Sequence, residues 1–169
     1  MAKGGKNFRG KREKPEYDQK LLDLARVTRV VRGGRRFRFR ATVVIGNRKG
    51  RVGVGVGKGA DVSDSIKKAF ENGKKNLISI DVNNHTILHD VRHKKGSAKI
   101  ILKPAPKGTG IIAGGPIRVV AELGGIKDIV TKSLGTSNKL NVARAAIEAL
   151  DSLRKTRPRK NQKFFKENK

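Results

Sequence analysis

R-V-V-R-G-G-R-R-F-R-F-R, running from Arg29 to Arg40, reads as a glycine-turned hairpin with six arginines along its arms. The second arm alternates strictly: Phe37, Phe39, Ala41 and Val43 fall on one face of a strand, and Arg36, Arg38, Arg40 and Thr42 on the other. Gly33-Gly34 supplies the positive φ that a two-residue hairpin turn requires, so the arms are expected to be antiparallel neighbours. The phenylalanine face is expected to seal a core while the arginine face meets a polyanion. Arginine suits that task because its planar fork binds phosphate bidentately and stacks on bases. The plain alternative is an edge strand kept apart from its neighbours by charge. Such edges usually mix signs, however, and no acidic residue lies between Asp23 and Asp61.

Outward from the hairpin, a short apolar-charged stretch at Leu21 to Ala25 leads into a strand at about Arg26 to Val31, and the returning strand covers about Phe37 to Ile45. Asn47 to Gly50 makes a second turn with Lys49 at its tip. Arg51 to Lys58, R-V-G-V-G-V-G-K, then alternates valine with glycine, placing valines on the core and leaving the other face as bare backbone that a helix or an RNA backbone can approach closely. Asp61 and Asp64 stand where an N-cap and a first-turn acid belong, and Val62, Ile66, Ala69, Phe70 and Leu77 recur at helical spacing. The spacing predicts an amphipathic helix lying on three strands, with Lys67, Lys68, Lys74 and Lys75 outward, either as solvated charge or as RNA contacts.

The pattern restarts near residue 81. Thr86 to Val91 and Ala98 to Lys103 alternate as strands joined by a turn at His93 to Gly96, and Pro104 and Pro106 end the second of them. G-T-G-I-I-A-G-G-P-I-R follows, Gly108 to Arg118, with Pro116 placed as the first residue of a helix that runs to Leu123 and stops at Gly124-Gly125. Ile126 to Leu134 is a strand or a short helix. A final apolar helix is expected over about Asn141 to Leu153. The division is therefore a basic disordered tail over 1–16, a domain over 17–80, a second over 81–153, and a basic tail over 154–169 that contains Phe164-Phe165.

Charge sets the class of partner. The chain has 41 Lys and Arg against 14 Asp and Glu in 169 residues, a formal net charge of +27. Self-repulsion on that scale points to a permanent anionic partner, and its spread from end to end points to a chain surrounded by polyanion on several sides. Nucleic acid leads; a membrane is disfavoured because there is no long apolar run and no basic amphipathic helix with a wide greasy face. Cys and Trp are absent, which excludes disulfides and thiolate metal sites and fits a reducing, cytoplasmic setting. Met1 to Pro15 has no apolar h-region, and Glu13 and Glu16 argue against a transit peptide.

Catalytic chemistry finds little footing. His85, His89 and His93 recur every fourth residue, but Thr86, Ile87 and Val91 favour a strand, along which such steps are roughly 13 Å apart, so no metal is expected. The Gly108 to Gly115 stretch beside a helix N-terminus offers backbone amides to a phosphate. It lacks the Lys-Ser/Thr ending of a nucleotide-binding loop, and the nearest downstream acids are Glu122 and Asp128. A close-packed turn at a protein or RNA contact is the favoured reading, with a small phosphotransferase as a rival. No Ser-His-Asp grouping or carboxylate pair stands out, and neither cofactor nor catalysis is expected.

Three blocks together resemble the bacterial small-subunit ribosomal protein S5 family over about residues 17 to 153. The first runs from the V-x-R-V-V-R-G-G-R-R-F-R-F hairpin through R-V-G-V-G-V-G-K-G to the helix containing K-K-A-F; the second is G-T-G-I-I-A-G-G-P-I-R; the third runs from Gly125 through K-S-L-G-T-S-N to N-V-A-R-A-A-I-E-A-L. The resemblance implies an α+β protein of two small α/β domains. The first is similar to a double-stranded-RNA-binding fold, a three-stranded antiparallel sheet with one helix, and the second is a β-α-β-α domain of a kind also found in certain kinases and topoisomerases, which by itself does not imply catalysis. It further implies a place in the small subunit near where messenger RNA enters and near the neck, contact with ribosomal RNA and with the fourth and eighth small-subunit proteins, and an influence on decoding accuracy. Carried over to this chain, it sets Arg29, Arg32, Gly33, Gly34, Arg35 and Arg36 against RNA near the spectinomycin-binding helix. The alternation and turns add Arg38, Arg40, Lys49, Arg51 and Lys58 as expected RNA contacts. Gly108, Thr109, Gly110, Gly114, Gly115 and Arg118 are expected at a protein interface beside the fourth protein.

Departures from the family pattern are Arg32, usually lysine, and Lys139, usually proline. A free duplex-RNA-binding regulator remains a rival, but it relies on lysines at its helix start, where this chain has Asp61 and Asp64.

Overall fold

The computed structural model describes residues 16–82 and 85–155; of the tails expected over 1–16 and 154–169, residues 1–15 and 156–169 lie outside the described residues, and 154–155 belong to the last helix. Three strands, β1 (Asp18–Val31), β2 (Gly34–Gly46) and β3 (Arg51–Gly59), form an antiparallel meander, helix α1 (Val62–Lys75) crosses it, and a short strand β4 (Leu77–Ser79) returns beside β3. The sheet thus has a fourth strand beyond the three expected, because the chain leaving α1 pairs Leu77 to Ser79 with Gly53 to Arg51. β1 begins well before Arg26: Leu21 to Ala25 belongs to the strand, interrupted by a bulge that leaves Leu22 unpaired and packed toward the larger core.

The glycine face of β3 is taken by α1. A Cβ at Gly55 would overlap Ala69 O and Gly73 N, one at Gly57 would overlap Ala69 N and Ser65 O, and one at Gly53 would lie 2.7 Å from Gly73 O. The helix meets this face through its smallest side chains, Ser65, Ala69 and Gly73, all buried, while Ile66, Phe70 and Leu77 flank the seam half-buried. The large apolar residues are therefore wedges beside the seam, contrary to the periodicity that puts them at its centre, because only small side chains fit where two backbones come this close. Asn72 Nδ2 donates to Val56 O at 2.9 Å and ties helix to strand. Asp61 stands at the N-cap in extended conformation, but its side chain makes no cap hydrogen bond.

With α1 on one side, the other face of the same strands, Val44, Val52 and Val54, is free to join the second half of the molecule. That half is a mixed sheet ordered β5-β6-β8-β7, from β5 (Val91–Lys95), β6 (Ala98–Pro104), β7 (Ile111–Ile112) and β8 (Ile129–Leu134), with α2 (Gly115–Gly124) and α3 (Lys139–Lys155). β7 and β8 are parallel across α2, and every other pairing is antiparallel. Ile100, Leu102, Ile117, Val120, Leu123, Val142, Ala146 and Leu150 bury themselves with the valines of the first sheet in one continuous core.

Two local expectations shift. Thr86 forms only an isolated bridge, and the strand starts at Val91 and runs through His93, so the turn is confined to the neighbourhood of Gly96. Ile126 to Leu134 resolves as a strand from Ile129, and α3 is longer at both ends than Asn141 to Leu153. Pro116 lies in the first turn of α2, and Gly125 ends the helix in the left-handed conformation, φ 85. Arg48 N then donates to Leu123 O at 2.9 Å and Gly50 N to Gly124 O at 3.0 Å, so the β2–β3 turn satisfies carbonyls at the end of α2.

Gly55→Ala is expected to destabilise the chain by about 3 kcal/mol, since backbone on both sides leaves nowhere for the methyl to go. Gly33→Ala, where nothing lies within 4 Å of the new carbon, should shift a urea unfolding midpoint far less.

Candidate nucleic-acid interface

Beyond the Phe39–Gly59 pair, β3 ends and the sheet continues as a two-stranded ribbon of β1 and β2. From Ala41 to Gly34 the ribbon extends roughly 20 Å past the buried strands. Its turn is Arg32-Gly33, between the paired residues Val31 and Gly34, and the positive φ falls on Gly34, at 141°. The turn expected at Gly33-Gly34 is therefore displaced by one residue, with Arg32 at its apex.

Register decides which arginines meet. Arg29 stands opposite Arg36, Val27 opposite Arg38, and Ala25 opposite Arg40, which on its other side pairs with Lys58. Arg29, Arg36, Arg38, Arg40 and Lys58 thus share one face of the sheet and its ribbon. Arg35, opposite Val30, lies on the other face with Phe37 and Phe39. Directly opposed like charges such as Arg29 and Arg36 disfavour the ribbon. No arginine of the ribbon has an ion-pair partner among the described residues, and Arg40 Nε is buried without a hydrogen-bond partner.

The expectation that Phe37 and Phe39 seal a core does not hold at the arm. Phe37 is 46% exposed and Phe39 half-buried, because α1 covers this face only from Ala41 onward, where Ala41, Val43 and Ile45 are buried. Thr42, placed by alternation on the polyanion side, is buried. The ring of Phe37 instead carries Arg26, whose Cζ lies 3.6 Å from its centroid. Arg26 is missed by reading the second arm alone; setting the two arms in register from the turn brings it opposite Phe39 and diagonal to Phe37.

Lys49 and Arg51 are not part of this cluster. They lie at the other end of the β2–β3 pair, roughly 40 Å along the strand from the arm's tip. There Asn47 Oδ1 accepts from both their backbone amides, at 2.8 and 3.0 Å, and both side chains are exposed.

Gly108, Thr109 and Gly110 form a loop whose amides are already engaged. Gly108 N and Gly110 N both donate to Asp128 Oδ1, at 3.1 and 2.9 Å, with Asp128 itself 5% exposed, and Thr109 Oγ1 donates to Pro106 O. The cradle open to a phosphate in the sequence is filled by the protein's own carboxylate. No local signal marks Asp128 for this role, since it lies 18 to 20 residues downstream. Gly114 and Gly115 begin α2 with open space around them, and Arg118, one turn on, is exposed.

The three histidines part company. His85 sits in a turn at φ 71, its carbonyl accepting from Lys127 N and Asp128 N; His89 is in a bend; and His93, on β5, has Nε2 3.4 Å from Glu148 Oε2. Among the described residues no group of three His, Cys, Asp or Glu side chains comes together, and no helix is long and apolar enough to cross a membrane.

Asp128→Ala is expected to cost about 1–3 kcal/mol by orphaning two amides and to speed hydrogen exchange at Gly108 and Gly110. Asp128→Asn, which keeps an acceptor oxygen, should recover much of the loss.

Comparison with known proteins converges with this architecture. Residues 17–81 match the family model for the N-terminal domain of ribosomal protein S5, and residues 93–163 that for its C-terminal domain. The small ribosomal subunit protein uS5 of Campylobacter jejuni strain 81-176 is 52% identical over 144 residues, which cover 85% of this chain and 98% of that protein. The same protein from C. jejuni strains 81116 and RM1221 matches to the same extent. Both halves of the α+β fold, the antiparallel sheet with its helix and the mixed sheet with two helices, fall within those matches, and the chain belongs to the uS5 family of small-ribosomal-subunit proteins.

Proposed function

We propose that this chain is a non-catalytic structural constituent of the small ribosomal subunit whose arm grips ribosomal RNA. The observation that carries the reading is the arm itself: Arg29, Arg32, Arg35, Arg36, Arg38 and Arg40 on a ribbon that projects from a doubly buried sheet, without an acidic partner among the described residues. An opposed arginine pair that weakens the free ribbon is compensated when each guanidinium takes a phosphate. Lys58 extends the same face. Lys49 and Arg51, remote from the arm, contact a second stretch of the same RNA.

In this reading the loop Gly108 to Gly110, held rigid by Asp128, and the exposed start of α2 at Gly114, Gly115 and Arg118 form the contact with the fourth small-subunit protein, with the eighth adjoining. The molecule then sits near where messenger RNA enters and near the neck, and acts on decoding accuracy by fixing RNA geometry. Filling of the glycine cradle by Asp128 weighs against the phosphotransferase alternative, and Asp61 and Asp64 at the start of α1 weigh against a free duplex-RNA regulator.

Filter binding of the full chain to small-subunit ribosomal RNA tests the reading. Affinity should fall about 10³-fold or more between roughly 50 and 200 mM salt, and a flat profile would sink it. The double variant Arg29→Ala, Arg36→Ala should keep its circular-dichroism spectrum and lower the log–log salt slope by about 2.

A further inference from the structure

We propose that the side of the arm opposite its main arginine face is a stacking platform for an unpaired nucleobase, built from Phe37 with Arg26 over it. The inference rests on the reading that the arm binds ribosomal RNA and adds a second, chemically different contact to it. Phe37 lies on the face that α1 covers further down β2, but the helix does not reach it, and its cross-strand partner Thr28 is too small to cover the ring. It stays 46% exposed, and Val30, on the same face nearer the tip, is 73% exposed. Two apolar side chains uncovered at the end of a ribbon that is otherwise basic mark a surface completed by something else.

The charge around the patch selects the occupant. Arg26 and Arg35 border it, no ion pair among the described residues neutralises either, and the guanidinium of Arg26 lies 3.6 Å over the ring centroid. A partner here must offer a flat apolar face and negative charge within a few ångströms of each other. A nucleotide does so, its base stacking on ring or guanidinium and its phosphate meeting the neighbouring arginine. A base inside a duplex has both faces covered by its neighbours, so the occupant is a nucleotide in a loop, bulge or junction. Gly33 and Gly34, with nothing within 4 Å of where a Cβ would stand, leave the approach to the tip clear.

The test exploits the absence of tryptophan from the chain. Phe37→Trp introduces a single indole at the platform and Leu88→Trp a single indole at an exposed position off the arm. On titration with small-subunit ribosomal RNA, the emission of the Phe37→Trp variant should be strongly quenched, and that of Leu88→Trp, which lies off the arm and should keep native affinity, much less so. Phe37→Leu should bind about 10-fold more weakly with an unchanged salt slope, because no phosphate contact is removed. Native affinity in Phe37→Leu, or equal quenching at the two positions, overturns the platform while leaving a steep salt dependence, and the phosphate grip, in place. Loss of salt dependence in the native chain overturns both.

Discussion

The close approach of α1 to the glycines of β3 is the contact on which the rest of the molecule depends. Backbone atoms of Ala69 and Gly73 occupy the space a side chain at Gly55 would need, so the helix sits lower on the sheet than ordinary packing distances permit. One face of the first sheet is thereby closed with very small side chains. The opposite face keeps its valines for the second half of the molecule, and Val44, Val52 and Val54 end in one core with α2, α3 and the mixed sheet. Strands buried on both sides read as continuous apolar runs, which is why Ala41 to Ile45 loses the alternation that Phe37 to Arg40 displays. A doubly clamped sheet gives the arm a rigid base.

Charge is divided along the same line. Acids of the body are engaged in ion pairs that join distant parts of the chain: Lys20 with Glu122 at 2.9 Å, Arg48 with Asp18 at 2.9 Å, Lys139 with Asp23 at 3.0 Å, and Lys95 with Glu148. Exposed pairs of this kind contribute little stability each, and they engage four of the chain's 14 carboxylates, Asp18, Asp23, Glu122 and Glu148. The arm, with none within its length, keeps its full positive field. Lys139 has its ammonium on Asp23 of β1 and so links the start of α3 to the first sheet.

Asp128 illustrates how a glycine-rich loop can mislead. G-T-G beside a helix has the amide geometry of an anion site, and the structure contains the anion as a side chain from the start of β8. The loop is thus stiffened in one shape, and the ends of β7 and β8 are brought together by Ile129 N donating to Gly110 O at 3.1 Å. A glycine-rich turn coexists here with a cradle that is already full, and the surface this region exposes is the loop from Lys107 to Thr109 together with the start of α2.

The antiparallel hairpin, the amphipathic α1, the Pro116 start and Gly125 stop of α2, and the sign of the partner's charge were all legible in the sequence, because each rests on local chemistry: alternation, capping, glycine conformation, net charge. The three motif blocks made the family legible too. What the sequence left open depends on separations of tens of residues. Bare backbone at Gly53 to Gly59 suits a helix or an RNA equally well until α1 is placed on it. Phe37 and Val43 share a strand face, yet one is exposed and the other buried, since burial is set by where the helix ends and not by the strand's own pattern. Arg26 meets Phe37 only through the cross-strand register, and Asp128 meets the glycine amides only through the parallel pairing of β7 with β8. The hairpin and its arginines are local properties of Arg29 to Arg40; that they form a projecting arm with one arginine-lined and one aromatic face was decided by the two layers that clamp the sheet below and stop short of its end.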